Sequence, residues 1–182
     1  IVAIAGSSGS GKSLLASAIL GILPGNATVY GHISYKGQQL SAERQRQLRG
    51  TKIALVPQSV AYLDPLLKVG QQADGHKKPY PTEKRRSLFK RFGLPDKTEQ
   101  LYPYQLSGGM ARRVLVSTAL ITDSELIIAD EPTPGMSLNQ ALEALKMFRE
   151  MANEGKAVIL ITHDIDLAFE FADRVAVFYA GT

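Results

Sequence analysis

Ile1-Val2-Ala3-Ile4-Ala5 runs directly into Gly6-Ser7-Ser8-Gly9-Ser10-Gly11-Lys12-Ser13, and this junction decides the fold. The first five residues are wholly apolar and read as a buried strand. The next eight satisfy G-x-x-x-x-G-K-[ST], and the stretch from Lys12 reads as a helix that stops before Pro24-Gly25. Strand, Gly-rich loop and helix in that order make a phosphate cradle. Glycines let the backbone bend round the anion, so that amide N–H groups and the positive end of the helix point at it. The pattern assigns Lys12 to the β- and γ-phosphates and the Ser13 hydroxyl to Mg2+. A Gly/Ser-rich linker is the bland alternative, and the flanking strand and helix argue against it. Four fixed positions match by chance in on the order of one such chain in a hundred or fewer.

Working outward, similar apolar runs recur at Ile53-Ala54-Leu55-Val56, Leu126-Ile127-Ile128-Ala129, Ala157-Val158-Ile159-Leu160-Ile161 and Val175-Ala176-Val177-Phe178. Continuous rather than alternating apolar character predicts strands covered on both faces, as in a parallel sheet. Helical stretches fall between them, near Gly109 to Ile121 (stopping before Asp123) and from Leu138 to Asn153 (closed by Gly155). The alternation predicts an α/β sandwich. Residues 26 to 40, broken by Gly31 and Gly37, predict a hairpin-like excursion, and 81 to 105 is polar, basic and helical in character.

The composition is that of one ordinary globular domain: 182 residues, 45% hydrophobic and 21% charged. With no cysteine, disulfide frameworks and thiolate metal sites are excluded. No apolar run approaches the roughly 18 residues of a spanning helix, and a signal peptide's basic and apolar regions are absent, so a cytoplasmic setting is expected. The chain begins at Ile1 inside a strand without an initiator Met, as expected of an excised fragment. The net charge of +4 is local: Lys77 to Arg91 holds seven basic residues against Glu83, a net +6 that leaves −2 elsewhere. Only Tyr80, Phe89 and Phe92 stand nearby as stacking platforms, so a solvated helix face is expected and nucleic acid is not.

A second chemical signal closes the third apolar run. Asp130 and Glu131 stand at its carboxyl end, where open parallel sheets place their ligands. Asp130 is positioned for Mg2+, directly or through water, and Glu131 is assigned to orient or deprotonate the water that attacks the γ-phosphate. Neighbouring strand positions face opposite sides, so the two acids need not share one task.

At this point the sequence resembles the ATP-binding cassette ATPases over essentially its whole length. Leu106-Ser107-Gly108-Gly109-Met110 looks like their signature loop, Val56-Pro57-Gln58 resembles the Q-loop, and Ile161-Thr162-His163-Asp164 resembles the switch-histidine loop. The resemblance implies a P-loop NTPase core, α/β with a mainly parallel sheet flanked by helices. It also implies a single domain over 1–182, cut at both ends, with a small helical subdomain inserted at about 66–122. ATP and Mg2+ are the implied ligands. Gly6, Ser7, Ser8, Gly9, Ser10, Gly11, Lys12 and Ser13 would hold the phosphates, Gln58 would touch Mg2+ or its water, and His163 would face the γ-phosphate. Ser107, Gly108 and Gly109 would cover the nucleotide held by a second ATPase subunit, docked head to tail.

Tyr102 to Met110 and Ala172 to Gly181, with Tyr62-Leu63-Asp64-Pro65, look like the dipeptide, oligopeptide and nickel importer branch. That branch implies two membrane-spanning permease subunits, an extracellular solute-binding protein, and a place on the cytoplasmic face of the cell membrane. Two departures stand out. The D-loop, usually Ala-Leu-Asp, reads Ser137-Leu138-Asn139, which raises the expectation of pairing with a different ATPase subunit. The adenine-stacking aromatic would precede Ile1. The basic run lies in the subdomain that the family docks against membrane subunits, so it is expected near anionic headgroups. A soluble cassette acting on ribosomes or DNA would need a tandem copy or a long coiled-coil insertion, and only 47 residues separate Gln58 from Leu106. A P-loop small-molecule kinase would have no use for a signature loop.

Overall fold

The computed structural model describes residues 1–74 and 82–179. Five parallel strands form the central sheet: β1 (Val2–Gly6), β4 (Ile53–Val56), β5 (Leu126–Asp130), β6 (Ala157–Thr162) and β7 (Arg174–Phe178), in the order β4-β5-β6-β1-β7. The apolar runs mark these strands almost residue for residue, because both sheet faces are covered. Ile4, Ile53, Ile128 and Ile161 pack under helix α1 (Lys12–Leu20). Ile127, Ala129, Val158 and Leu160 face the opposite core, shared with α5 (Gly108–Ile121) and α6 (Leu138–Asn153). Ala3 and Ala5 are covered by Ala168 of α7 (Ile165–Phe171).

Register lines up the functional end of the sheet. Val56 sits beside Ala129, Asp130 beside Ile161, and Ile161 beside Ile4. The loops that follow β1, β4, β5 and β6 therefore all leave one carboxyl edge.

Between β4 and its neighbour β5 the described chain is helical. It contains α3 (Val69–Asp74), α4 (Thr82–Arg91) and α5, with 3-10 turns at Asp96–Gln100 and Pro103–Gln105. Phe89, Phe92 and Leu94 share one apolar cluster with Val56 and Ile127, so this segment packs onto the sheet without a core of its own.

Two expectations need correction, and two others hold. First, β7 is an edge strand with Val177 63% exposed, so its apolar run is not covered on both faces. As expected, α1 stops before Pro24: it ends at Leu20, where Gly21 adopts φ 64°, which lets Gly21 and Ile22 donate to the Ala18 and Ser17 carbonyls and close the helix. Residues 26 to 40 hold the expected hairpin in short form, the antiparallel two-residue strands β2 (Ser34–Tyr35) and β3 (Gln38–Gln39), turned by Lys36 and Gly37 at φ 51° and 73°. They are followed by α2 (Ala42–Leu48).

The second correction concerns the basic run, of which only part is a solvated face: Lys84, Arg86, Lys90 and Arg91 are exposed, and Arg85 is not. Arg85 is buried and donates to Asp74 and, at 2.8 Å, to Glu99. Arg86 also pairs with Glu99, Lys84 donates to the Ile121 carbonyl, and Arg91 reaches Glu143 and Glu150 of α6. Part of the local charge is thus answered inside the protein. Phe89 and Phe92 are core residues, closed to stacking. Lys77, Lys78 and Tyr80 lie outside the described residues.

Candidate functional site

The loop after β1 is shaped by its glycines at two places. A Cβ on Gly6 would fall 2.3 Å from the Phe178 carbonyl oxygen of the neighbouring strand. Gly11, at φ 95°, is the N-cap of α1 and brings no capping side chain. The first amides of α1 are therefore left without a side-chain acceptor, which is what an anion at a helix N-terminus requires. Lys12 is 6% exposed, and its Nζ donates to the Gly6 and Ser7 carbonyls, at 2.8 Å each. The ammonium is thus folded back over its own loop, bonded to dipoles alone.

Asp130, at the end of β5, accepts a hydrogen bond from Ser13 Oγ at 3.1 Å. Burial pushes its carboxyl above the ordinary range. The like charge of Glu131 adds to the rise, while Ser13, Lys12 and Arg112 oppose it. Glu131 takes a left-handed backbone, φ 47°, and its amide donates to the Ile161 carbonyl at 2.9 Å. This turn carries its side chain to His163, whose Nδ1 lies 2.9 Å from Glu131 Oε2. Glu131 is buried and His163 is 65% exposed, so the pair spans the boundary between core and solvent.

These groups share a cleft of about 480 Å3 lined by Ser8, Gly9, Gly11, Lys12, Ser13, Gln58, Glu131 and His163. Gly6 and Ser7 contribute the carbonyls that hold Lys12, and Ser10 is buried with its hydroxyl unpartnered. Asp130 reaches the cleft through Ser13. Ser107, Gly108 and Gly109 do not line it. Ser107 caps α5 by accepting from the Met110 amide at 3.3 Å, and it and Gly108 are exposed. A Cβ on Gly109 would stand 2.7 Å from the Gly135 carbonyl, so glycine lets this loop pack against the segment that follows Glu131. Asn139 is exposed in the first turn of α6.

The donor set fits a nucleotide phosphate with Mg2+. Among the described residues no cluster of three His, Cys, Asp or Glu side chains could cage an ion. One hydroxyl and one carboxylate beside a phosphate cradle is how Mg2+, which keeps waters and phosphate oxygens in its shell, is usually held. Sequence reasoning missed Arg112. It lies buried on α5 and donates to the carbonyls of Pro57, at 2.8 Å, and Gln58. Its one trace in the sequence is the pair Arg112-Arg113 inside an otherwise apolar helix.

The chain is similar to ATP-binding proteins of known transport systems. The chain is 38% identical over 195 residues to the dipeptide transport ATP-binding protein DppD of Bacillus subtilis, an alignment covering 98% of the chain and 58% of that protein. It is 37% identical over 196 residues to the oligopeptide transport ATP-binding protein OppD of Lactococcus lactis subsp. cremoris, covering 100% of the chain and 58% of the relative. The chain thus spans less than two thirds of the length of these relatives. Among solved structures, a dimeric ATP-binding cassette in a post-hydrolysis state, bound to ADP and Pi, superposes with a TM-score of 0.86 at 27% identity. That match covers 100% of this chain and 82% of the other. The family model for ABC transporters matches residues 1–134, and with the fold, the cleft and these relatives in agreement, the chain belongs to the ABC transporter family.

Proposed function

We propose that the chain is the ATP-binding and hydrolysing part of an importer subunit that takes up peptides. The observation that carries this reading is the convergence of Lys12, Ser13, Gln58, Glu131 and His163 on one cleft, with Asp130 bonded to Ser13 behind them. Peptides are favoured over nickel or metallophores as cargo because the DppD and OppD relatives are named for peptide transport.

In this reading the amides of Gly9 to Ser13 cradle the phosphates, and Lys12 exchanges its two carbonyl acceptors for phosphate oxygens. Ser13 and Asp130, with Gln58 across the cleft, would hold Mg2+, which when bound neutralises charge developing on the phosphate oxygens. Glu131 accepts the proton of the attacking water, and its bond to His163 Nδ1 fixes the imidazole so that Nε2 is free to address the γ-phosphate. Most of the rate gain is positional and electrostatic.

Ser107, Gly108 and Gly109 lie away from the cleft, the first two exposed, and complete the site of a second ATPase subunit docked head to tail, and Asn139 favours a non-identical partner. Residues 66–122 act as a helical subdomain. Beside it, a groove lined by Tyr62, Asp64, Leu67, Lys68 and Gln72 offers apolar and polar contacts to one of two permease subunits on the cytoplasmic face of the membrane. An extracellular binding protein delivers the solute.

The test is uptake in proteoliposomes holding the full-length subunit, its permeases and its binding protein. ATP-driven accumulation of a labelled oligopeptide is expected. Glu131→Gln is expected to keep ATP binding while hydrolysis falls by about 10²–10⁴-fold, the range for loss of a general base. Hydrolysis by the variant at the wild-type rate would overturn the assignment of Glu131, and uptake of Ni2+ without peptide would overturn the cargo.

A further inference from the structure

Arg112 and Arg113 are adjacent, buried and cationic, yet they serve different parts of the molecule. Arg113 donates to the carbonyls of Gly109, Phe92 and Gly93, all within the helical segment, where it closes the end of α4. Arg112 reaches out of that segment. Its Nη1 donates to the Pro57 carbonyl at 2.8 Å and its Nη2 to the Gln58 carbonyl, across more than fifty residues of chain. Gln58 is the residue of that loop which lines the cleft, and its own side chain is exposed there.

A guanidinium 7% exposed is costly to bury unless its donors are used, and here Nε has no partner. A mere packing role would be served better by an apolar side chain. What an arginine adds is a rigid planar fork that fixes two acceptors at once. Helix α5 supplies a stiff base for that fork, with its N-terminus at Ser107-Gly108-Gly109 and its length packed in the main apolar core.

We propose that Arg112 is a positioning residue, whose fork holds the backbone of Pro57 and Gln58 so that the Gln58 side chain stays in the cleft and moves with α5. The inference rests on reading the cleft as an Mg2+-nucleotide site. Its consequence is mechanical: a displacement of the loop that opens α5 is passed to Gln58 through two hydrogen bonds.

The experiment uses the full-length subunit assembled with its permeases, comparing wild type with Arg112→Met, Arg112→Lys, Gln58→Ala and the Arg112→Met/Gln58→Ala double variant. Two quantities are read: the Mg2+ concentration for half-maximal ATP hydrolysis, and amide hydrogen exchange of the nucleotide-free protein. Arg112→Met is expected to raise the Mg2+ requirement roughly tenfold, as loss of a group that orients a metal's ligand does. Exchange should quicken at residues 57–62 while β1 and β5 stay unchanged. Arg112→Lys should restore part of the loss, because an ammonium can hold one carbonyl but offers no fork. The double variant should have the same Mg2+ requirement as Gln58→Ala alone, since the two residues act in one chain of contacts.

Unchanged exchange at 57–62 in both Arg112 variants would overturn the proposal. So would exchange that rises equally in β1 and β5, which marks a structural role, or additive effects in the double variant. A wild-type complex that neither binds nor hydrolyses ATP would defeat the nucleotide reading instead, while the exchange data would still decide whether Arg112 holds the loop.

Discussion

Two regions of this molecule bury charge, and they treat it in opposite ways. In the helical segment Arg85 meets Asp74 and Glu99, and Glu99 meets Arg86, so the buried guanidinium of Arg85 is answered by carboxylates. In the cleft, Lys12 is bonded to two carbonyls and Asp130 to a hydroxyl, while Arg112 is bonded to two more carbonyls. Lys12, Asp130 and Glu131 are as deeply buried as Arg85, yet among the described residues neither Lys12 nor Arg112 pairs with Asp130 or Glu131, and Glu131 meets the imidazole of His163 instead. A charge answered by its opposite within the fold has spent its attraction on structure. A charge answered only by dipoles keeps it for a ligand, which is why perturbed groups collect at functional sites.

The largest effect expected from this contrast is on the paired side. Arg85→Met removes the shared cation and leaves Asp74 and Glu99 buried together. Breaking a buried pair from one side costs about 3–5 kcal/mol. Urea or thermal unfolding of the isolated subunit should show that loss. If Arg85→Met is neutral, the helical segment tolerates unanswered charge as the cleft does, and the contrast fails.

The contrast was only half legible in the sequence. The strands could be read because burial on both faces makes their apolar runs continuous, and the cleft because Gly6 to Ser13, Asp130-Glu131 and His163 each sit in a loop at the end of such a run. What could not be read depends on partners distant in sequence. Arg85 and Arg91 read as parts of one solvated face until folding brings Glu99 beside the first and Glu143 and Glu150 beside the second. Arg112 looks like a surface residue until α5 is packed against the loop after β4. The left-handed turn at Glu131 had no glycine to announce it.

A smaller effect, still on the paired side, is pH dependence. The guanidinium of Arg86, and then that of Arg85, hold the Glu99 carboxyl at about 2, below its ordinary 4.5. A depressed carboxylate stabilises the fold above its unfolded value, and that contribution is lost as pH falls from about 4.5 through about 2. Glu99→Gln should therefore be less stable than wild type at neutral pH, and the difference should close across that acid window. A gap in Tm that stays constant from pH 7 to 2 would show that Glu99 acts by shape and not by charge.

The smallest effect has the opposite sign. Burial raises the Asp130 carboxyl above its ordinary value, with Glu131 adding to the rise, so its ionised form is disfavoured in the folded state relative to the unfolded one. Above that raised value the charge costs stability, and the cost vanishes as pH falls and the carboxyl is protonated. Asp130→Asn removes the charge and keeps the shape. The nucleotide-free variant should gain about 0.5–2 kcal/mol at neutral pH, as replacement of a strained functional group often does. For a chain of this length that is about 2–4 °C in Tm per kcal/mol. With MgATP the order should change. Wild-type Tm should rise because the ligand supplies the positive charge that the fold withholds from Asp130, and the variant should gain less because it has lost the carboxylate that ligand needs. Identical gains in the two proteins would mean that Asp130 is silent toward the ligand, and that its unanswered charge is a flaw of packing and not a site held ready.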